Sequence, residues 1–383
     1  MEREKKFVTL FCHKIQNVHL IKDVGMVPYT FKKSFGFNAN LVAFKNKEDD
    51  YSYLKSEVKG LKLSFIKRGL KIPFLSVYLS AVSYLIKNSK IIDVLNLYHF
   101  SFSTLIYGYI YKKTNPKGRL YIKLDMRPGL LKENFKPQKK FKVLNIIKLK
   151  SRLYFVKHIL DIASYENITT LDELQETIPK YSFKFIHIPN GLSPENMEKI
   201  IAFEDKENII ITVGRIGSNQ KDNQRLLNAI SKINLKNWKV YFIGPIEEKF
   251  QKNIEDYFEE NKHHKNKVIF TGSIIDRKEL FSYYNKAKVF CLTSNFEGFA
   301  LVFPEALYAR NYIITTPVGG SIDITNNGKV GCIINTNQEL YSKLVDIITN
   351  NIDLEANYNL AKEYSQNFIW SRIFLKEKRS FNV

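Results

Sequence analysis

The stretch from Val289 to Leu307 constrains the fold of this chain more than any other part of the sequence. It begins with a short apolar run, residues 289–292, that has the length and composition of a buried strand. A polar loop with a glycine follows, and the residues from Leu301 onward predict a helix with Pro304 in its first turn, where proline is tolerated. This order is typical of a parallel α/β sheet, and the free N–H groups at such a helix start favour an anion.

Two acidic residues flank that turn. Glu297 lies in the loop and Glu305 lies in the predicted helix. Because like charges repel, a carboxylate beside an anion site does not bind phosphate itself, but it can accept hydrogen bonds from sugar hydroxyls. A nucleotide-sugar carries hydroxyls on both sides of its diphosphate and fits this pattern. The stretch alone leaves an alternative open, in which Glu297 is solvated and Glu305 is a favourable first-turn acid.

The same alternation of strand and helix runs through the whole chain. Apolar runs of strand length alternate with helical stretches, which predicts parallel βαβ units covered by helices on both faces. The predicted strands are residues 7–12, 39–44, 63–66, 91–97, 120–124, 161–163, 185–188, 209–213, 239–243, 268–270, 289–292 and 313–315, and the predicted helices include 73–88, 102–111 and 224–233.

A turn signal at Pro189-Asn-Gly191 predicts the domain boundary. The charge balance changes there too: residues 1–190 hold 34 Lys+Arg against 15 Asp+Glu, whereas residues 191–383 hold 25 against 23. We therefore expect a basic first domain over 1–190 and a second domain over 191–365. The basic half, with the cationic segment 132–157, indicates an anionic partner, which could be a membrane surface, a lipid phosphate or nucleic acid.

Composition excludes several classes of protein. A hydrophobic content of 44% with 14% aromatic residues is not that of a disordered chain. No run reaches the length of a membrane span, and neither a signal-peptide block nor paired cysteine spacing is found, which predicts a cytoplasmic protein. The sequence has no Asp-x-Asp motif to hold a divalent metal, and none is needed if basic side chains and a helix start stabilise the negative charge, so we expect no metal or other cofactor.

Glycine loops follow several predicted strands of the second half. One begins at Gly214 and carries two cations, Arg215 and Lys221, which could neutralise a diphosphate. Others contain Gly244 and the run Thr271-Gly-Ser273. Ligands of open parallel sheets bind at the carboxyl ends of the strands, so these loops predict a nucleotide-diphosphate site.

Four motifs in this order resemble glycosyltransferase family 4 across residues 186–335. They are Val213-Gly-Arg215 with Lys221, Phe270-Thr-Gly272, Glu297-Gly-Phe-Ala-Leu-Val-Phe-Pro-Glu305 and Val318-Gly-Gly320. The resemblance implies the GT-B fold, an α/β architecture of two doubly wound, Rossmann-like domains with an interdomain cleft. It also implies retaining transfer of a sugar from a nucleotide-diphosphate donor, most commonly a UDP-sugar.

The resemblance also assigns roles to residues. Glu297 would bind the donor sugar, Glu305 the ribose, and Arg215 with Lys221 the leaving diphosphate, while His99 would lie near the transferred sugar and Asp125 is a weaker candidate. The sequence departs from the family at Ala300, where glycine is usual, and in the longer spacing from Arg215 to Lys221. The resemblance further implies a glycine loop at Gly25 that lets the donor approach, and a C-terminal helix over 366–383, marked by Phe368-Ile-Trp370, that packs back towards the N-terminal domain. The expected donor-binding residues are Gly25, Gly214, Gly244, Thr271, Ser273, Ile274, Gly298, Phe299, Ala300, Leu301 and Glu305.

The expected partners are a nucleotide-sugar, a glycan or lipid-linked glycan acceptor and an anionic membrane surface, without a specific nucleic acid. Assembly of capsule, exopolysaccharide or lipopolysaccharide at the inner face of the membrane fits these partners. Two alternatives stay open: a basic nucleic-acid-binding protein, which net charge alone would predict only as non-specific binding, and a non-catalytic nucleotide-sugar-binding subunit.

Overall fold

A computed structural model describes residues 3–67, 73–124, 142–177 and 183–381, and it divides into two compact units. Met1–Asn190 together with Trp370–Val383 form one unit, here called the N-terminal unit. Gly191–Ile369 form the other, the C-terminal unit. Asp125 and the part of the cationic segment before Lys142 lie outside the described residues.

The N-terminal unit contains a parallel sheet in the order β3-β2-β1-β4-β5-β6-β7. Its strands are β1 (Lys6–Lys14), β2 (Asn38–Phe44), β3 (Lys62–Phe65), β4 (Val94–Tyr98), β5 (Arg119–Leu124), β6 (Ile162–Tyr165) and β7 (Lys184–His187). Its helices are α1 (Asn17–Leu20), α2 (Asp23–Phe35), α3 (Tyr53–Ser56), α4 (Pro73–Asn88), α5 (Phe102–Thr114), α6 (Lys142–His158), α7 (Ile168–Thr177) and α15 (Trp370–Lys376).

Both faces of this sheet are apolar, as parallel sheets require. On one face, Phe7 and Phe31 stack with their ring centroids 4.0 Å apart, and α15 adds Trp370 and Phe374 to the same cluster. The other face packs against α4, α5 and α6 through a second cluster that includes Leu85. The described chain after residue 369 therefore completes the core of the N-terminal unit.

The C-terminal unit contains a second parallel sheet, in the order β10-β9-β8-β11-β12-β13. Its strands are β8 (Glu207–Val213), β9 (Lys239–Ile243), β10 (Val268–Gly272), β11 (Ala287–Leu292), β12 (Tyr312–Thr315) and β13 (Gly331–Ile333). Its helices are α8 (Asn223–Ile230), α9 (Gln251–Glu260), α10 (Arg277–Lys286), α11 (Val302–Tyr308), α12 (Ser321–Ile324), α13 (Asn337–Ile348) and α14 (Leu354–Tyr364).

The predicted α/β class with two parallel sheets is confirmed, but two local features were not predicted. The polar stretch from His13 to Pro28 contains α1 and the start of α2, where no helix was predicted. Gly25 and Pro28 are breaker signals, yet burial of Val27 and Phe31 outweighs them. The short strand β13 was missed, since three residues carry too little periodicity to be recognised.

Each sheet has one point where the strand order reverses direction. This topological switch lies between β1 and β4 in the N-terminal unit and between β8 and β11 in the C-terminal unit. The loops that leave neighbouring strands there diverge to opposite faces of the sheet and leave a crevice at the carboxyl edge. The loops after β8 and β11 carry Arg215, Lys221 and Glu297, so the C-terminal fold brings these residues to one edge.

A buried lysine makes the stability of the C-terminal unit dependent on pH. Lys206 donates from Nζ to the backbone carbonyls of Asn285 at 2.6 Å and Ala287 at 2.9 Å. Burial, with smaller contributions from the nearby charges of Arg310 and Lys288, lowers the pKa of Lys206 to about 7. The unfolded chain keeps the ordinary pKa, so between pH 7 and 10 it binds more protons than the folded chain.

We therefore predict that unfolding free energy rises with pH above 7 by on the order of 1–2 kcal/mol more in the natural chain than in Lys206→Met. Urea unfolding at pH 7 and pH 9 measures this difference, with the exposed Lys232→Met as the matched control. Parallel pH profiles for the natural chain and Lys206→Met would contradict the assignment.

Candidate functional site

The carboxylate of Glu297 is the centre of the hydrogen-bond network at the switch point of the C-terminal unit. Lys221 Nζ lies 2.7 Å from Glu297 Oε1, and the Ser294 hydroxyl donates to the same oxygen at 2.7 Å. Gln220 Nε2 donates to Glu297 Oε2 at 3.0 Å. The Glu297 side chain is 8% exposed, so these donors replace most of the water that an isolated carboxylate would need.

Arg215 joins this network indirectly. Its guanidinium donates to Gln220 Oε1 at 2.9 Å, so Gln220 bridges Arg215 and Glu297. The backbone N–H of Asn295 donates to the carbonyl of Gln220 at 2.8 Å, which ties the β8 loop to the β11 loop. The structure therefore brings both predicted cations and the predicted loop acid together. Sequence reasoning did not single out Gln220, because one amide in a polar loop carries no pattern.

Two glycines allow the backbone to approach this closely. A Cβ on Gly214 would lie 2.9 Å from Lys221 Cε, so glycine lets the lysine side chain cross the end of β8. A Cβ on Gly319 would lie 1.9 Å from the carbonyl oxygen of Gly298 and 2.6 Å from that of Glu297. The N–H of Gly319 also donates to the Glu297 carbonyl at 3.2 Å, so the loop after β12 supports the Glu297 loop.

The second predicted acid is held by a different helix. Glu305, on α11, accepts a hydrogen bond from the guanidinium of Arg277, the first residue of α10. Tyr284 lies two turns further along α10. Burial raises the pKa of the Tyr284 hydroxyl well above its ordinary value, and the adjacent Glu305 carboxylate raises it further. Arg277 is a site residue that sequence reasoning missed, since its pairing depends on how α10 packs against α11.

The other predicted donor-binding residues of this unit lie in the loops around the same edge. Gly244 follows β9 and donates its N–H to the Gly272 carbonyl at 2.9 Å. Thr271 is the second-last residue of β10, Ser273 is exposed and Ile274 is partly buried. Between the β11 loop and α11, Phe299 and Ala300 are buried, whereas Gly298 and Leu301 on either side of them are partly buried.

His99, a predicted site residue of the N-terminal unit, lies at the carboxyl end of one of the two strands at the switch point. His99 comes directly after β4, has a left-handed backbone with φ of 60°, and donates its N–H to the Lys123 carbonyl at 3.0 Å. Such a conformation is uncommon for a residue with a side chain and occurs often at functional sites. His13, which sequence reasoning missed, lies nearby: partial burial lowers the pKa of His13, and the charge of His99 lowers it further.

Gly25 does not lie in a glycine loop. It is buried in the first turn of α2, and a Cβ there would lie 2.2 Å from the carbonyl oxygen of Leu20. Glycine is needed at this position because α1 and α2 approach closely, which the sequence pattern did not reveal. The proposed loop at Gly25 is therefore corrected to a helix start.

The described part of the chain shows neither a group of three or more His, Cys, Asp or Glu side chains placed to hold a metal ion, nor a helix long and apolar enough to cross a membrane.

Two parallel, doubly wound sheets and a carboxylate held by two loops at a switch point define a protein of the GT-B class, whose architecture solved structures share. Residues 193–367 match the family model of glycosyl transferases group 1. The C-terminal unit of this chain therefore contains a domain that matches the group 1 glycosyl transferases. Assignment to family 4 within this group stays a prediction.

Curated relatives match parts of the chain. A probable sucrose-phosphate synthase of Thermosipho melanesiensis is 34% identical over 104 residues, which are 26% of this chain and 24% of that protein. The amylovoran biosynthesis glycosyltransferase AmsD of Erwinia amylovora is 24% identical over 217 residues, or 53% of this chain and 58% of that protein. The chain therefore covers less than two thirds of either relative's length.

Solved structures match the chain over nearly its whole length. A glycosyltransferase from Rickettsia africae superposes with a TM-score of 0.72 at 15% identity and covers 100% of this chain and 98% of its own. HepE from Anabaena, in complex with UDP, gives 0.70 at 13% identity, covering 98% and 99%. The lipopolysaccharide outer core galactosyltransferase WaaB gives 0.69 at 15% identity, with the same coverage. At these identities the likeness shows the fold.

The contact between Gly319 and the Glu297 loop generates a prediction. Gly319→Ala places a methyl group against backbone atoms that cannot rotate away, so the loop must move and the Glu297–Lys221 pair must be disturbed. We expect loss of stability on the order of 1–3 kcal/mol by overpacking, measured by urea unfolding. The natural chain is the reference, and a free energy of unfolding for Gly319→Ala within about 0.5 kcal/mol of the natural value would contradict the prediction.

Proposed function

We propose that this protein is a retaining glycosyltransferase that moves a sugar from a nucleotide-diphosphate donor to a glycan acceptor. The observation that carries the proposal is the convergence of Glu297, Lys221 and Arg215 at the switch point of the C-terminal unit. Ligands of open parallel sheets bind at this point. The match of residues 193–367 to the group 1 glycosyl transferases supports the reaction class.

Sugar transfer requires groups that stabilise the negative charge on the diphosphate as the sugar–phosphate bond breaks. Lys221 has three donors, of which one goes to Glu297, so its ammonium can also contact a leaving phosphate oxygen. Arg215 is exposed and offers a planar set of donors that matches phosphate oxygens. Cations fixed where the charge develops lower the barrier without reorganisation at the moment of reaction.

The two acids take separate parts in this proposal. Glu297, already oriented by Ser294 and Gln220, would accept hydrogen bonds from the hydroxyls of the transferred sugar. Glu305, oriented by Arg277, would accept from the ribose hydroxyls. Neither carboxylate acts as a nucleophile, so the acceptor attacks on the face that the diphosphate leaves, with retention. His99 of the N-terminal unit would contact the transferred sugar.

The finer parts of the proposal concern donor, acceptor and place. UDP and UDP-glucose in HepE structures of this fold support a UDP-sugar donor. The polysaccharide setting of AmsD and WaaB supports an acceptor in cell-surface polysaccharide assembly. We propose a lipid-linked glycan as that acceptor, used by a cytoplasmic protein bound peripherally to an anionic membrane. Because Lys221 and Arg215 supply the positive charge, we expect turnover to persist in the presence of a chelator.

The Lys221 variant gives the sharpest test of the transferase proposal. Donor hydrolysis and thermal shift across a panel of UDP-, GDP- and ADP-sugars identify the donor, since a bound nucleotide stabilises the folded chain. With that donor, Lys221→Ala should lower kcat by about 10²–10³ through loss of one charge-assisted contact in the transition state. Lys249→Ala, which breaks an exposed ion pair with Glu247, is the matched control.

Near-natural turnover by Lys221→Ala would show that Lys221 does not stabilise the leaving diphosphate. A panel in which no nucleotide-sugar shifts the melting temperature or is consumed would refute the transferase proposal as a whole.

Arg277 should affect donor binding rather than the chemical step. It orients the Glu305 carboxylate, and a ribose contact has equal strength in the ground state and the transition state. We predict that Arg277→Ala raises KM for the donor by about tenfold with kcat within about twofold, as expected for one hydrogen bond to a charged group. The neighbouring exposed residue supplies the control, Lys278→Ala. A large fall in kcat at unchanged KM would contradict this division.

A further inference from the structure

Three neighbouring helices of the N-terminal unit, α4, α5 and α6, cover the same face of its sheet. Their inner sides share one apolar cluster, to which they contribute Leu85, Tyr107 and Phe155, respectively. Helix α5 packs against both α4 and α6. The outward side chains of α4, α5 and α6 therefore lie beside one another on a single surface, here called the three-helix face.

The charge of this face has one sign. The three helices contain eight Lys or Arg residues and no Asp or Glu. One of the eight, Lys112, is mostly buried in an ion pair with Asp161, whereas Lys87, Lys113 and Lys150 are exposed. Solvent-exposed helices of a protein in water usually mix both signs, since opposite charges three or four residues apart stabilise a helix. Helix α7, which follows α6 in the chain, has the opposite composition, with Asp172, Glu173 and Glu176 and no Lys or Arg.

Each of the three helices also exposes a pair of large apolar side chains seven residues apart. Residues at this spacing lie on the same side of a helix, two turns from each other. Phe102 is 61% exposed, Ile86 57%, and Ile147 and Tyr154 both 55%, although large apolar side chains are more often buried. The three pairs are Leu79 with Ile86, Phe102 with Tyr109, and Ile147 with Tyr154.

Cations accompany these apolar pairs closely. Lys113 Nζ lies 5.8 Å from the centroid of the Tyr109 ring, and Lys87 follows Ile86 directly. Lys150 lies between the apolar residues of the α6 pair and is itself exposed. The same surface therefore carries apolar side chains, whose removal from water is favourable, and ammonium groups, which are attracted to anions.

We propose that the three-helix face docks on the surface of an anionic lipid bilayer, with the apolar pairs entering the boundary between headgroups and acyl chains. Interfacial helices have this combination of cationic and apolar side chains. The inference rests on the proposed function, in which a lipid-linked acceptor brings the protein to a membrane. Relative to the sequence prediction, it moves the contact from the single segment 132–157 to three helices that are distant in sequence.

A nucleic acid is the competing anionic partner, and the apolar pairs argue against it. Its backbone would use the ammonium groups, but it would leave exposed aliphatic side chains such as Leu79, Ile86 and Ile147 without a partner. Aliphatic groups lose contact with water when they enter the acyl boundary, so a bilayer satisfies both components of the face.

Co-sedimentation with vesicles of phosphatidylcholine, with and without phosphatidylglycerol, tests the proposal on the full chain. We expect binding only to the anionic vesicles and weaker binding at high salt. Each lysine near an anionic surface contributes about a fivefold change in partitioning, so Lys87→Gln/Lys113→Gln/Lys150→Gln should lower it on the order of 10². Ile86→Ser/Phe102→Ser/Ile147→Ser should lower it about tenfold or more while all charges remain.

The matched control makes the same charge change on the opposite side of the sheet. Lys33, Lys55 and Lys59 are exposed residues of the layer that contains α2 and α3, and Lys33→Gln/Lys55→Gln/Lys59→Gln should bind vesicles within about threefold of the natural chain. Unchanged melting temperatures establish that each variant folds. Equal losses in both lysine variants would show that only net charge matters and would overturn the assignment of the face.

Two further outcomes separate this inference from the transferase proposal. Vesicle binding through the three-helix face by a chain that uses no nucleotide-sugar would refute the transferase proposal alone. Sugar transfer by a chain that ignores anionic vesicles would refute the docking face alone. A mobility shift of duplex DNA at physiological salt, abolished by the three-lysine variant and unaccompanied by vesicle binding, would assign the face to nucleic acid and overturn the proposal.

Discussion

The ion pair between Lys221 and Glu297 is the interaction on which the rest of the candidate site depends. It joins the loops after β8 and β11, which are 76 residues apart along the chain but leave neighbouring strands. A carboxylate this buried needs several donors, and Ser294 and Gln220 supply them. The pair, its donors and the close contact at Gly319 therefore fix one arrangement of the two loops.

The two units of the chain carry different kinds of interaction. The C-terminal unit is nearly neutral overall and concentrates a few fixed charges at one edge of its sheet, which suits recognition of a small ligand. The N-terminal unit is strongly basic, and its described cations include a one-sign group on three helices that lie side by side. Positive charge distributed over three helices suits an extended anionic surface, whereas the fixed charges of the C-terminal unit suit a small ligand of defined shape.

The sequence anticipated the site where the signal was local and missed it where pairing was long-range. Strand followed by glycine loop revealed the positions of Arg215 and Lys221, because that pattern lies within a few residues. The pairing of Arg277 with Glu305 depends on two helices that meet only in the folded unit. Gly25 was placed in a loop for a similar reason: a glycine needed for helix packing looks the same in sequence as a glycine needed for a turn.

The sequence by itself determined the class of fold, since apolar runs of strand length alternating with helices can bury their side chains only in parallel α/β sheets. It also determined that the positive charge lies in the first half. Only the tertiary structure decided which charges meet and which surface they share. Strand order placed Glu297 beside Lys221, and helix packing put three cationic helices on one face, because both depend on contacts between residues that are distant along the chain.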